Sequence, residues 1–212
     1  MVKICGLRTE EDAVACREAG ATLAGLLFVA GRRRSIRAPE ARRIRRVLGA
    51  CKPVLVYLDE TLETIVIETE ALGIDRVQLH GSERPEDCAR LREVGLWVMK
   101  ALRFEGKRRS LEREARRYAG AVDTLLIDAP SPGAGEALDW RLLEDLWLPR
   151  PFLLAGGLTP ENVAEAVARV RPDGVDVASG IEREGRPCPE RVARFVQEAR
   201  RALSSLALGG VS

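Results

Sequence analysis

The chain has 212 residues, 46% hydrophobic and 31% charged, with a formal net charge of +2. This balance describes a chain that can bury a globular core, and the near-cancelling charges argue against a nucleic-acid footprint spread over the whole surface. No apolar run reaches membrane-spanning length and the opening VKIC already reads as a strand, so the cytoplasm is the expected compartment.

Residues 2–5 read as a strand, and 9–19 as a helix with Thr9 as N-cap and Gly20 as stop. A second apolar run covers 22–28, followed by the basic loop GRRRSIR and a helix opened by Pro39 and running through Leu48. A third strand is expected over 53–58, with a helix over 60–72 ending at Gly73. Residues 76–80 form a short fourth strand with a helix over 85–94 behind it. The fifth strand, 96–101, leads to a helix containing 110–118. The sixth, 124–128, leads into the loop APSPGAGEAL and a helix near 140–146.

The stretch FLLAGGLTPENV at 152–163 is a buried strand, a glycine turn and a helix start, with Thr159 as N-cap and Pro160 in the first turn. The helix itself is expected over 162–170. Such a turn presents bare N–H groups and a positive dipole end to an anion. GVDVASG at 174–180 repeats the strand and small-residue turn, and 190–203 is the last helix.

Eight strands alternating with eight helices require a parallel sheet, because parallel neighbours need a crossover. The expected fold is therefore α/β, a (β/α)8 TIM barrel occupying residues 1–212 as a single domain. An open doubly wound sheet competes, but no GxGxxG follows the first strand.

In such a barrel the chemistry sits where the strands end. Cys5 ends the first strand, Gln78 and His80 lie on the fourth, Asp128 closes the sixth and Asp176 lies on the eighth. Each has an ordinary structural alternative. Cys5 could be a small buried hydrophobe, although Lys3 shares its face one layer deeper and could favour a thiolate. His80 could be a satisfied core histidine, and Asp176 could serve a salt bridge. Asp128 is harder to explain structurally, since an acid ending the buried run LLI needs a partner or a task. Two of the three arginines at 32–34 read as solvated, and no aromatic residue punctuates that run as single-strand binding would require. The five cysteines (5, 16, 51, 88 and 188) form no CxxC and His80 is the only histidine, so neither a zinc site nor a disulfide framework is expected. The bases are nearly all arginine, which fits a thermophile or a GC-rich genome equally.

KICGLR at the start, VQLHG at 77–81, LLID at 125–128, LDW at 138–140, AGGLTPENV at 155–163 and GVDVASG at 174–180 together resemble the phosphoribosylanthranilate isomerase family, in that family's order. The resemblance implies a TIM barrel catalysing the Amadori rearrangement of N-(5'-phosphoribosyl)anthranilate in tryptophan biosynthesis, without cofactor or metal. It places the general base on Cys5 and the general acid on Asp128. The arginine that holds the anthranilate carboxylate falls nearest Arg34, one extra residue in that loop shifting the register. Substrate contacts are expected from Gln78, His80 and Asp176, and from Gly133 and Gly135 in a closing loop. Phosphate is expected on Gly156, Gly157, Ser179 and Gly180. The chain departs from the family's pattern at Glu136, at Ala178 and at GRPC 185–188. A different phosphosugar enzyme, a catalytically silent metabolite-binding barrel and an RNA-binding arginine loop are the competing functions. The expected partner is a small phosphosugar, with no nucleic acid or membrane, on a monomer or homodimer.

Overall fold

The computed structural model describes residues 1–129, 139–144 and 146–209, with side chains described through residue 206. Eight strands close into a barrel in sequence order: β1 (Val2–Cys5), β2 (Leu23–Leu27), β3 (Lys52–Tyr57), β4 (Arg76–Leu79), β5 (Trp97–Arg103), β6 (Thr124–Asp128), β7 (Phe152–Leu154) and β8 (Gly174–Val177). Every neighbouring pair is parallel, and β1 pairs with both β2 and β8 to complete the ring. The helices are α1 (Glu10–Ala19), α2 (Ala38–Val47), α3 (Leu62–Leu72), α4 (Pro85–Glu93), α5 (Arg108–Tyr118), α6 (Val163–Val170) and α7 (Pro189–Gly209). No helix among the described residues is long and apolar enough to cross a membrane.

The local signals explain most boundaries. The Thr9 hydroxyl accepts from the Asp12 amide while Asp12 accepts from the Thr9 amide, a reciprocal capping box that starts α1. Thr61 caps α3 through the Thr64 amide alone, its own amide donating to Glu60. Proline stands in the first turn of both α2 and α4, where its missing N–H costs nothing.

Seven helices replace the expected eight among the described residues. Residues 140–146 were expected to be helical, but only a 3-10 turn, Trp140–Leu143, forms. The Asp139 side chain caps it, and Pro149 and Pro151 follow too soon for a longer helix to dock before β7. The segment after β7 also differs. The Thr159 hydroxyl accepts from the Glu161 amide and caps a lead-in turn, while α6 proper starts at Val163. After β8 a 3-10 turn (Ser179–Ile181) and a two-stranded hairpin, β9 (Glu182–Arg183) and β10 (Arg186–Pro187), precede α7.

Alternation along the strands sorts the core into two layers. Leu23, Val54, Met99, Leu126 and Leu153 point into the barrel, with Trp97 packed against them. Ile4, Ala24, Leu26, Leu55 and Val77 point outward and pack with helix residues such as Ala13, Ile44, Ile65, Val167 and Phe195. The inward row continues towards the strand ends as Lys3, Cys5, Gln78, Asp128 and Asp176. The apolar floor of the barrel thus gives way to polar side chains at its C-terminal mouth.

Candidate active site

At that mouth a cavity of about 500 Å³ is lined by Cys5, the arginines 32–34, Gln78, His80, Arg103, Asp128, Asp176 and Ala178. Leu27, Val29, Val56 and Leu58 give it an apolar wall beside the arginines. The barrel therefore gathers six of the expected site residues (Cys5, Arg34, Gln78, His80, Asp128 and Asp176) from five strands or their loops.

Lys3 is fully buried inside the barrel, and its Nζ donates to Asp176 Oδ1 at 2.8 Å. Its charge also acts on Cys5, the influence that its place one layer deeper on the same face suggests. Gly25 on the neighbouring strand makes this possible: a Cβ there would lie 2.7 Å from Cys5 Sγ and 3.1 Å from Lys3 Nζ. Burial pushes Lys3 down, but Asp176 and Cys5 together more than offset it and favour the charged ammonium. Burial pushes the Cys5 thiol up, Lys3 opposes that shift, and Asp176 adds to it. The net shift favours the thiol, and the thiolate that does form is correspondingly a strong base.

Asp128 ends β6 almost fully buried. Its Oδ1 accepts from the Ala129 amide at 2.8 Å, and its Oδ2 lies 3.5 Å from His80 Nε2. The Gln78 amide donates to His80 Nδ1 at 3.0 Å, which puts the imidazole proton on Nε2, facing Asp128. At 3.5 Å that contact is not a formed hydrogen bond. His80 Nε2 and Gln78 Oε1 are both buried without a hydrogen-bond partner among the described residues. Two orphaned polar atoms in one cavity wall are what a hydroxylated ligand would satisfy.

The arginine loop is more ordered than its composition suggests. Arg34 Nε donates to Glu182 Oε1 at 2.6 Å, and Arg33 Nη2 donates to Glu182 Oε2 at 2.7 Å. Arg32 and Arg33 are exposed, as expected of two of the three, and Arg34 is the enclosed one.

The glycine turns lie outside the residues lining the cavity, with Ala178 the nearest in sequence. Gly156 and Gly157 adopt φ of 85° and 67°, which only glycine takes up freely, and Asn162 Nδ2 donates to the Gly157 carbonyl at 3.0 Å. A side chain at Gly180 would run into the Leu158 carbonyl, so the two turns are packed together. Arg191 Nη2 donates to the Gly180 carbonyl at 2.8 Å and holds that turn in place. Gly133 and Gly135 lie outside the described residues.

Sequence reasoning passed over Arg103 and Glu182. Arg103 continues the inward face of Met99 and Ala101, a signal available from alternation alone. Glu182 lies 148 residues from Arg34, and only barrel closure brings them together.

The family of N-(5'-phosphoribosyl)anthranilate (PRA) isomerases matches residues 2–198. The chain belongs to the phosphoribosylanthranilate isomerase family. A relative of that name from Desulforudis audaxviator is 42% identical over 96% of this chain and 99% of its own. Another, from Cereibacter sphaeroides, is 42% identical over 94% of this chain and 98% of its own. The solved phosphoribosyl anthranilate isomerase from Thermotoga maritima is similar with a TM-score of 0.84 at 34% identity, covering 94% of this chain and 98% of that one. A phosphoribosyl anthranilate isomerase in complex with reduced 1-(o-carboxyphenylamino)-1-deoxyribulose 5-phosphate has a TM-score of 0.82 at 34% identity, with the same coverage. As a family member the chain is an isomerase of tryptophan biosynthesis, catalysing an aldose-to-ketose Amadori rearrangement.

Proposed function

We propose that Cys5 and Asp128 are the base and acid with which this isomerase converts N-(5'-phosphoribosyl)anthranilate to 1-(2-carboxyphenylamino)-1-deoxyribulose 5-phosphate. The observation that carries the assignment is their convergence: a thiol under the charge of a buried ammonium and a buried carboxyl line one cavity from different strands. Asp128, entering protonated, gives its proton to the furanose ring oxygen; the C1'–O bond breaks and the anthranilate nitrogen becomes an iminium. Cys5 as thiolate removes the C2' proton, the electrons flowing into the iminium to give an enolamine. Tautomerisation of the enolamine yields the ketone. The Lys3 ammonium stabilises the thiolate, and the raised thiol pKa makes that thiolate basic enough for a carbon acid.

Substrate binding follows the same layout. The anthranilate ring lies on the apolar wall of Leu27, Val29, Val56 and Leu58, with its carboxylate on Arg34. Gln78, His80 and Asp176 face the ribose, whose hydroxyls satisfy the orphaned Gln78 and His80 atoms. The phosphate rests on the packed turns at Gly156, Gly157, Ser179 and Gly180. One catalytic domain spanning the chain does this in the cytoplasm, without cofactor and with a small phosphosugar as its only required partner.

Asp128→Asn should lower turnover by about 10²-fold or more, the usual weight of a general acid, while inorganic phosphate still binds in a calorimetric titration. Phosphate binding lost in parallel with rate would show that Asp128 is structural.

A further inference from the structure

We propose that Glu182 is a positioning residue that aims Arg34 at the substrate carboxylate. This rests on the reading of Arg34 given above and adds the device that makes it selective. Glu182 opens β9, on a hairpin turned by Glu184 and Gly185 at φ of 51° and 73°. Both left-handed residues sit at the turn of a two-residue hairpin, where the twist of the flanking strands requires them. The carbonyl of Gly185 accepts from Arg8 Nη2 at 2.9 Å and also from Arg33, so arginines from two other loops pin the hairpin in place. From that fixed position the Glu182 carboxylate takes one oxygen to Arg33 and the other to Arg34.

The geometry at Arg34 is selective. Glu182 engages Nε alone, on the side edge of the guanidinium, and the terminal Nη pair makes no hydrogen bond among the described residues. An end-on fork is thereby left for a carboxylate in the cavity that Arg34 lines. The Arg34 stem lies across Gly6, where any Cβ would collide with Arg34 Cδ. The side chain is therefore fixed at its stem by the KICG glycine and at its head by Glu182. Both partners are largely enclosed, with side-chain exposures of 14% and 11%, so the pair is not a freely rotating surface bridge. A planar guanidinium held on one edge presents a rigid two-point donor with little rotamer entropy left to lose.

The experiment measures steady-state turnover of N-(5'-phosphoribosyl)anthranilate by wild type, Glu182→Gln, Glu182→Asp, Arg34→Met and the Glu182→Gln/Arg34→Met double variant, with inorganic phosphate affinity measured alongside. Glu182→Gln should raise KM about tenfold, the weight of one charge-assisted hydrogen bond, with kcat and phosphate affinity little changed. Glu182→Asp should recover part of that loss, and the double variant should be no worse than Arg34→Met alone. If Arg34→Met raises KM while Glu182→Gln and Glu182→Asp both leave it unchanged, the positioning role is wrong and the Arg34 reading stands. If Arg34→Met itself leaves KM unchanged, the Arg34 reading fails and takes the positioning role with it. A fall in kcat together with phosphate affinity in both Glu182 variants marks a purely structural contact and overturns the proposal.

Discussion

At Cys5 two environments compete over one proton. Enclosure by the barrel disfavours the thiolate, the Lys3 ammonium favours it, and enclosure is the stronger. The other four cysteines are buried, so an alkylating reagent entering the cavity should meet Cys5 first. Iodoacetamide labelling of Cys5, read by mass spectrometry, should therefore rise with pH through a midpoint above the ordinary thiol value of about 8.5. Replacing the buried pair together, as Lys3→Met with Asp176→Asn, removes the ammonium without stranding its carboxylate. If the ammonium is the group that favours the thiolate, the midpoint should move further alkaline. A wild-type midpoint below neutrality would contradict this reading of the site.

Between elements, the counterpart of that buried pair lies outside the barrel wall. Lys100 on β5 donates to Glu83 Oε2 at 2.9 Å and to the Gly81 carbonyl at 2.6 Å. Glu83 Oε1 accepts from the Asp59 amide at 2.9 Å, and Tyr118 on α5 donates to the Glu83 carbonyl at 2.8 Å. One node thus ties the loops after β3 and β4 to β5 and α5, one residue beyond His80. Glu83→Ala strands a buried ammonium and two backbone donors, and should cost about 3–5 kcal/mol in urea denaturation. Glu83→Gln with Lys100→Met keeps the shapes and strands no charge, so it should cost much less. A single-variant loss below about 1 kcal/mol would show that water reaches the node.

For the molecule as a whole, what the sequence reveals depends on how local the cause is. The eight strands were legible because each is a short, largely apolar run closed by a Gly or Asp within a few residues, and α1 was legible because Thr9 and Gly20 mark its two ends. Cys5, Asp128 and Asp176 were legible as candidates because polar residues on otherwise buried strands require an explanation. The missing eighth helix was misread because Trp140, Leu142, Leu143 and Leu146 mimic helical spacing, while the prolines at 149 and 151 decide the outcome. The partnerships of Glu182 with Arg34 and of Lys100 with Glu83 were invisible. Both are set by which strand ends meet around the ring, and no spacing along the chain records that. At Cys5, alternation showed Lys3 on its face but not how completely the barrel encloses the thiol.

The central claim is that this barrel moves a proton from C2' to Cys5, and the most direct measurement follows the fluorescence of freshly prepared N-(5'-phosphoribosyl)anthranilate after adding the protein. Wild type should remove the signal rapidly, and Cys5→Ser, whose hydroxyl is a far weaker base at that position, should be slower by about 10²-fold or more. Equal rates from the two proteins would contradict the assignment of Cys5 as the base.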